Sequence, residues 1–178
     1  MSESSTVRKS WITIDTPLGS MLAIADKEML YLLEFVDRKG LERGVERFKK
    51  TTKSEIIAGY TQPIRSIEAE LKSYFEGLLI EFKTPLFIFG SPFQKRVWEE
   101  LKKIPSGETR SYSEIATAMG QPTAFRAVAN ANGANRIALV IPCHRVINAD
   151  GELGGYAAGV ARKKWLINHE KQRVSTTH

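Results

Sequence analysis

One cysteine, three histidines and no apolar run longer than residues 137–141 are the scarcities of this 178-residue chain. A lone cysteine forms no internal disulfide, and so few cysteines and histidines leave no spacing suited to structural zinc. No metal and no cofactor are therefore expected. The short apolar runs exclude a bilayer-spanning helix. "MSESSTVRKS" at the amino terminus carries no apolar stretch, so a cytoplasmic protein is expected, or a nuclear one if the source is eukaryotic. A further absence is local, since no carboxylate occurs from Ile115 to Ala149 while Arg126, Arg136 and Arg145 all fall there. Residues 1–84 hold 13 Lys and Arg against 13 Asp and Glu, and residues 85–178 hold 13 against 7, so the whole net charge of +6 lies in the second half. A polyanion would be drawn to that half, although a basic patch alone does not establish nucleic-acid binding.

What is present begins with short strands. "WITIDT", "SMLAIAD" and "MLYLLEFV" read as an antiparallel meander over residues 11–36. Residues 38–50 place Leu41, Val45 and Phe48 at helical spacing, and "PIRSIEAELKSYFEG" lines Ile64, Ile67, Leu71, Tyr74 and Phe75 along one face behind an N-terminal proline. Residues 81–90, with their apolar content and Pro85, read as an extended linker packed on the rest. The boundary is expected there, giving domains of residues 1–84 and 85–178.

The second half opens with two capping boxes. Ser91 and Gln94 frame the start of "SPFQKRVWEELKKI", and Ser111 and Glu114 the start of "SYSEIATAMG", which ends at Gly120. "QPTAFRAVANANG" predicts a third helix from Pro122 to Gly133. Two short helices joined by a tight turn outline a helix-turn-helix, whose second member usually meets DNA. That second helix is built from Ala, Asn, Gly and one long cation, Arg126, with none of the Lys/Glu pairs that decorate a purely solvated helix. Small side chains allow close approach, either by another helix or by a nucleic-acid groove.

The cysteine lies in "IPCHRV", residues 141–146. A single cysteine is often an inert small hydrophobe. Here "RIALVI" reads as a buried strand that Pro142 must end, because proline has no N–H for a ladder. Cys143 and His144 therefore sit at a bend, where side chains that would diverge along a strand can converge. An imidazole within reach lowers a thiol pKa and serves as its base. Asp150, Glu152 and Glu170 are all candidates to orient that imidazole. The local signature of papain-type hydrolases is absent.

"SYSEIA", "RAVANANGAN", "PCHRV" and "GGYAAGVARKKWLINHE", in this order over about residues 91–171, resemble the O6-alkylguanine-DNA alkyltransferase family, the methylated-DNA–protein-cysteine methyltransferases. The resemblance implies an α+β protein with an N-terminal ribonuclease-H-like sheet-and-helix domain. A mainly helical, winged-helix-like domain containing the helix-turn-helix would follow. It implies Cys143 as alkyl acceptor, His144 as base joined to it through water, Glu170 as the acid behind the histidine, and Asn135 as the brace of the active-site turn. Tyr112 corresponds to the donor to the guanine ring. Arg126 corresponds to the finger that enters the duplex, among DNA-contacting positions Thr123, Ala127, Asn132 and Gly133. Val146, Gly155, Tyr156 and Ala157 correspond to the walls of the guanine pocket.

The implied partner is double-stranded DNA carrying O6-alkylguanine, bound through the minor groove by a monomer. O4-alkylthymine is the lesser substrate. The lesion is flipped out and its alkyl group passes irreversibly to Cys143, leaving a thioether that water cannot reopen, so each molecule acts once. One departure is Arg136, which stands after Asn135 where the family often has proline; it would either loosen the turn or touch phosphate. A helix-turn-helix regulator with an inert cysteine is the alternative from another class.

Overall fold

The computed structural model describes residues 7–78 and 81–176; residues 1–6 of the amino-terminal stretch read above lie outside them. Three strands, β1 (Val7–Thr16), β2 (Gly19–Ala25) and β3 (Leu30–Phe35), form the expected antiparallel meander. Helix α1 (Leu41–Thr52) then crosses to a fourth strand, β4 (Ser54–Ala58), which pairs in parallel with β1 and completes the order β3-β2-β1-β4. This strand is absent from the sequence reading. Its five residues, "SEIIA", alternate only weakly and are mostly exposed at an edge, so periodicity alone does not mark them.

The sheet sorts its side chains by alternation. Met21, Ala23, Leu33 and Phe35 enter the main core with Ile64, Ile67 and Leu71 of α2 (Gln62–Phe75), whereas Ile24 and Leu32 meet Phe48 of α1 in a smaller cluster. Each fully buried aliphatic or aromatic side chain contributes about 1.5–3 kcal/mol relative to exposure. The main core continues without interruption into the second half through Val97, Trp98, Leu101, Ile115 and Val128.

Strand β3 would otherwise end the sheet with open hydrogen-bonding groups. Two segments of the second half cover it. Leu30 N–H donates to the Pro85 carbonyl and Phe87 N–H to the Leu30 carbonyl; farther along, Leu33 N–H donates to Arg136 and Ala138 N–H to Leu33. The linker is thus extended and packed, as its composition predicts, and it joins the sheet at one bridge, Leu30 to Leu86.

The second half is helical. Both capping boxes form, at α3 (Pro92–Lys102) and α4 (Tyr112–Ala118), and Gly120 leaves α4 at φ 75°, a region costly for side chains with a Cβ. Helix α5 (Phe125–Gly133) starts three residues later than Pro122 predicts, because Ala124 N–H closes a turn onto Gln121 O instead. Thr123 consequently belongs to the turn. Helix α6 (Val160–Thr176) ends the described chain, and among the described residues no helix is long and apolar enough to cross a membrane.

"RIALVI" departs from expectation. It makes one isolated bridge, Leu33 to Ile137, and then folds back on itself, with Leu139 at φ 69°, Val140 N–H on Ala138 O and Ile141 N–H on Ile137 O. Ile137, Ala138, Leu139 and Ile141 are all buried, so the β-branched run reports burial and not strand geometry.

Candidate active site

Two local devices bring the chemistry together. A two-residue parallel pair, β5 (Arg110–Ser111) with β6 (Val146–Ile147), sets the start of α4 beside the segment that follows Pro142, and so brings Tyr112 toward Cys143. Between them Cys143–Arg145 forms one 3-10 turn. Asn135 holds that segment from behind. Its Nδ2 donates to the carbonyls of Ile141 (2.8 Å) and Ile137 (3.3 Å) and to Cys143 Sγ (3.3 Å), while its Oδ1 accepts from Ile137 N–H. Asn132 adds a bond from Nδ2 to the Cys143 carbonyl.

The histidine is fully buried, and its Nε2 lies 2.8 Å from Glu170 Oε2. Glu170 projects from α6 and also accepts from Arg145 Nε (2.8 Å) and Nη2 (3.1 Å) and from the Tyr74 hydroxyl (2.6 Å). Burial opposes ionisation of Glu170, but the hydrogen bond from His144 and the hydrogen bonds and charge of the Arg145 fork outweigh it and hold the carboxyl well below its ordinary range. An ionised carboxylate accepts only, so Nε2 must carry the histidine proton. Nδ1 is then the basic nitrogen. It has no hydrogen-bond partner among the described residues. Burial pushes the His144 pKa down against the pull of Glu170, which keeps the ring neutral and able to take up a proton.

Cys143 is 8% exposed. Burial pushes its thiol up to about 11, opposed by the Asn135 amide, so the resting sulfur is protonated. No direct Sγ–imidazole hydrogen bond occurs among the described residues, which differs from the simple picture of an imidazole bonded to its thiol. The sulfur nevertheless opens onto a cavity of about 460 Å³. Tyr112, Arg126, Asn132, Asn135, Tyr156 and Ala157 share its lining with Cys143. Burial raises the Tyr112 pKa, so its hydroxyl remains a donor at neutral pH.

Most of the expected site residues converge here, with exceptions. Gly133 and Gly155 line the cavity as expected. Val146 is fully buried and is not among the lining residues, because its side chain packs into the main hydrophobic core. Asn132, expected at a DNA surface, is buried against the cysteine turn. Thr123 and Ala127 are exposed beside the rim, outside the cavity lining.

Of the three arginines in the carboxylate-free stretch, only Arg126 is exposed. Arg145 turns inward to Glu170, and Arg136 lies with its guanidinium 4.5 Å from the Phe89 ring centroid and donates to the Phe89 carbonyl. Arg136 is thus half-buried and held at Phe89, beside the intact hydrogen bonds of Asn135.

Sequence reasoning missed five participants. Tyr74 and Arg145 complete the environment of Glu170. Lys163 is buried, donates to the Gly155 carbonyl at 3.1 Å, and has its pKa lowered by burial to about 8. Glu34 and Arg38 reach the cavity from the sheet half. Arg38 pairs with Glu34 and donates to the carbonyls of Gly133 (2.6 Å) and Asn135 (2.9 Å), clamping the end of α5. The sequence signal for Lys163 is its helical spacing of seven from Glu170 on α6, which places both inward.

Among the described residues no group of three or more His, Cys, Asp or Glu side chains is arranged to hold a metal ion. Residues 92–172 match the family model described as "6-O-methylguanine DNA methyltransferase, DNA binding domain". The chain is 42% identical over 163 residues to a methylated-DNA–protein-cysteine methyltransferase of Mycolicibacterium paratuberculosis, covering 90% of this chain and 91% of that one. It is 40% identical over 164 residues to a protein of the same name from Methanosarcina barkeri, covering 90% and 96%. A crystal structure of Mycobacterium tuberculosis OGT in complex with DNA superposes with a TM-score of 0.79 at 38% identity, covering 94% of each chain. With a lone thiol in an open cavity, a buried His–Glu pair behind it and relatives matched along nearly their whole length, this chain belongs to the methylated-DNA–protein-cysteine methyltransferase family.

Proposed function

We propose that this protein repairs DNA by direct reversal, taking the alkyl group of O6-alkylguanine onto Cys143 in a reaction that occurs once per molecule. O4-alkylthymine is the lesser substrate in this reading. The observation that carries it is the position of Cys143 Sγ at the floor of an open cavity, braced by Asn135, with a neutral imidazole behind it whose other nitrogen is engaged by Glu170.

Activation follows from that arrangement. With Nε2–H committed to Glu170, His144 Nδ1 is the nitrogen free to accept the thiol proton, relayed by a water molecule. The imidazolium so formed is stabilised by the carboxylate. The sulfur then attacks the alkyl carbon, an S–C bond forms, the C–O6 bond breaks, and the electron pair leaves with guanine. Tyr112 donates a hydrogen bond to the departing ring, offsetting its negative charge. The thioether has no carbonyl for water to attack, so the acceptor is not regenerated.

A stacked base offers no line of attack, so the nucleotide is flipped, at a cost on the order of a few kcal/mol that is lower for a badly paired base. Arg126 is the finger that fills the gap, entering from the minor groove, and Thr123, Ala127 and Gly133 flank it on the DNA-facing side. Gly155, Tyr156 and Ala157 wall the extruded purine.

In domain terms, residues 85–178 form the winged-helix-like unit with its helix-turn-helix, α4 and α5. Residues 1–84 form a ribonuclease-H-like unit that supports the site through Arg38, Glu34 and Tyr74. The protein acts as a monomer in the cytoplasm, or in the nucleus of a eukaryotic source.

The test is to incubate the protein with a duplex containing O6-methylguanine and weigh it. The expected result is one added methyl group, located at Cys143 by peptide mapping and absent in Cys143→Ala. Unchanged mass with intact DNA binding would instead support a regulator with an inert thiol.

A further inference from the structure

Phe125, the first residue of α5, keeps 44% of its surface exposed. A single exposed phenylalanine needs no explanation. Three observations give this one a partner. Its ring lines the same cavity as Cys143, next to the exposed Arg126. Phe48, Phe75, Phe87 and Phe89 all meet other rings, whereas Phe125 enters no aromatic cluster among the described residues. Finally, the surrounding stretch, residues 115–149, carries no carboxylate, and one turn along the same helix face the cavity lining is the small Ala129. An approaching polyanion meets neither bulk nor repulsion there.

The helix fixes how deep the ring lies. Asn132, which bonds the Cys143 carbonyl, is seven residues farther along α5. At the rise of an α-helix this sets the Phe125 backbone about 10 Å along the helix axis from the residue that touches the cysteine turn. The ring thus belongs to the part of the lining that is set away from the cysteine turn and open to solvent.

We infer that Phe125 is an apolar wedge for duplex DNA, stacking against the base that flanks the gap while Arg126 occupies the gap itself. Apolar side chains inserted beside an unstacked step, and aromatic faces against bases, are the two contacts a phenyl ring offers a nucleic acid. The inference rests on the repair reading above and assigns within it a specificity role: Phe125 favours substrates in duplex DNA over the free base.

The experiment compares alkyl transfer from an O6-methylguanine duplex with transfer from free O6-benzylguanine, using wild type, Phe125→Ala and Phe125→Trp. With Phe125→Ala the duplex rate is expected to fall on the order of tenfold, the loss of one base–aromatic stack. The free-base rate should stay within about twofold, as for a surface substitution. Phe125→Trp should retain the duplex rate. A 2-aminopurine beside the lesion should brighten on binding to wild type and less so with Phe125→Ala. An unchanged duplex rate, or equal losses on both substrates, overturns the wedge. A wild-type protein that accepts no alkyl group from either substrate overturns the repair reading instead.

Discussion

The floor of the cavity and its rim are made from opposite materials. Cys143, His144, Asn135 and Glu170 are nearly or fully buried, and each is held by hydrogen bonds, a bend or both. Phe125, Arg126 and Ala127, only a helix length away, are exposed. The floor must fix a sulfur and an imidazole to within tenths of an ångström, which needs a packed surround. A rim that receives a large charged partner must leave its side chains free to be covered. The two regions should therefore answer mutation differently, the floor through stability and chemistry together, the rim through binding alone.

The sharpest break in this contrast is Glu170→Gln. The change leaves the Arg145 guanidinium without a compensating charge in a buried setting, and a broken buried pair costs about 3–5 kcal/mol. Denaturant melts should show that loss, with alkyl transfer slowed as well. The same variant tests pH dependence. Because the folded carboxyl lies below its ordinary value, its contribution is present above the unfolded pKa of 4.5 and is lost as pH falls below it. Wild type should lose more stability than Glu170→Gln on acidification from pH 6 to about pH 3; parallel curves would contradict the arrangement.

A smaller effect comes from the thiol. Its folded pKa of about 11 exceeds the ordinary 9.0, so the native state holds its proton longer than the unfolded chain does. Stability attributable to the thiol should be intact below pH 9.0 and decline as pH rises toward about 11. The difference in unfolding free energy between wild type and Cys143→Ala, followed across that window, checks the sign. At the rim, Arg126→Ala should leave the melting curve unchanged within about 0.5 kcal/mol. It should nevertheless slow repair of duplex more than repair of a single strand. A stability loss comparable to that of Glu170→Gln would erase the distinction between the regions.

The sequence displayed the floor's chemistry more plainly than its support. Ser91 with Gln94 and Ser111 with Glu114 are local signals, complete within four residues, and both helix starts were readable from them. The order of motifs from Tyr112 to Glu170 marked the site because each lies in a distinctive short string. Arg38 and Tyr74 were hidden, since they lie 97 and 96 residues from their partners Asn135 and Glu170, and nothing in their own neighbourhoods reports the contact. "RIALVI" misled for a physical reason: a buried segment whose backbone is satisfied by its own tight turns, an asparagine side chain and one bridge has the same composition as a strand. Likewise, the inward turn of Arg136 and Arg145 could not be seen from a charge count, which registers how many cations there are and not where they point.

The protonated, almost enclosed state of the cysteine has a consequence for the life of the molecule in a cell. Peroxide and small electrophiles react with exposed thiolates, and this sulfur, little exposed and protonated at rest, offers them scant thiolate although it borders the cavity. An acceptor thiol is useful only while it is unspent, and the burial that keeps this sulfur protonated also slows its loss to oxidants before a substrate arrives.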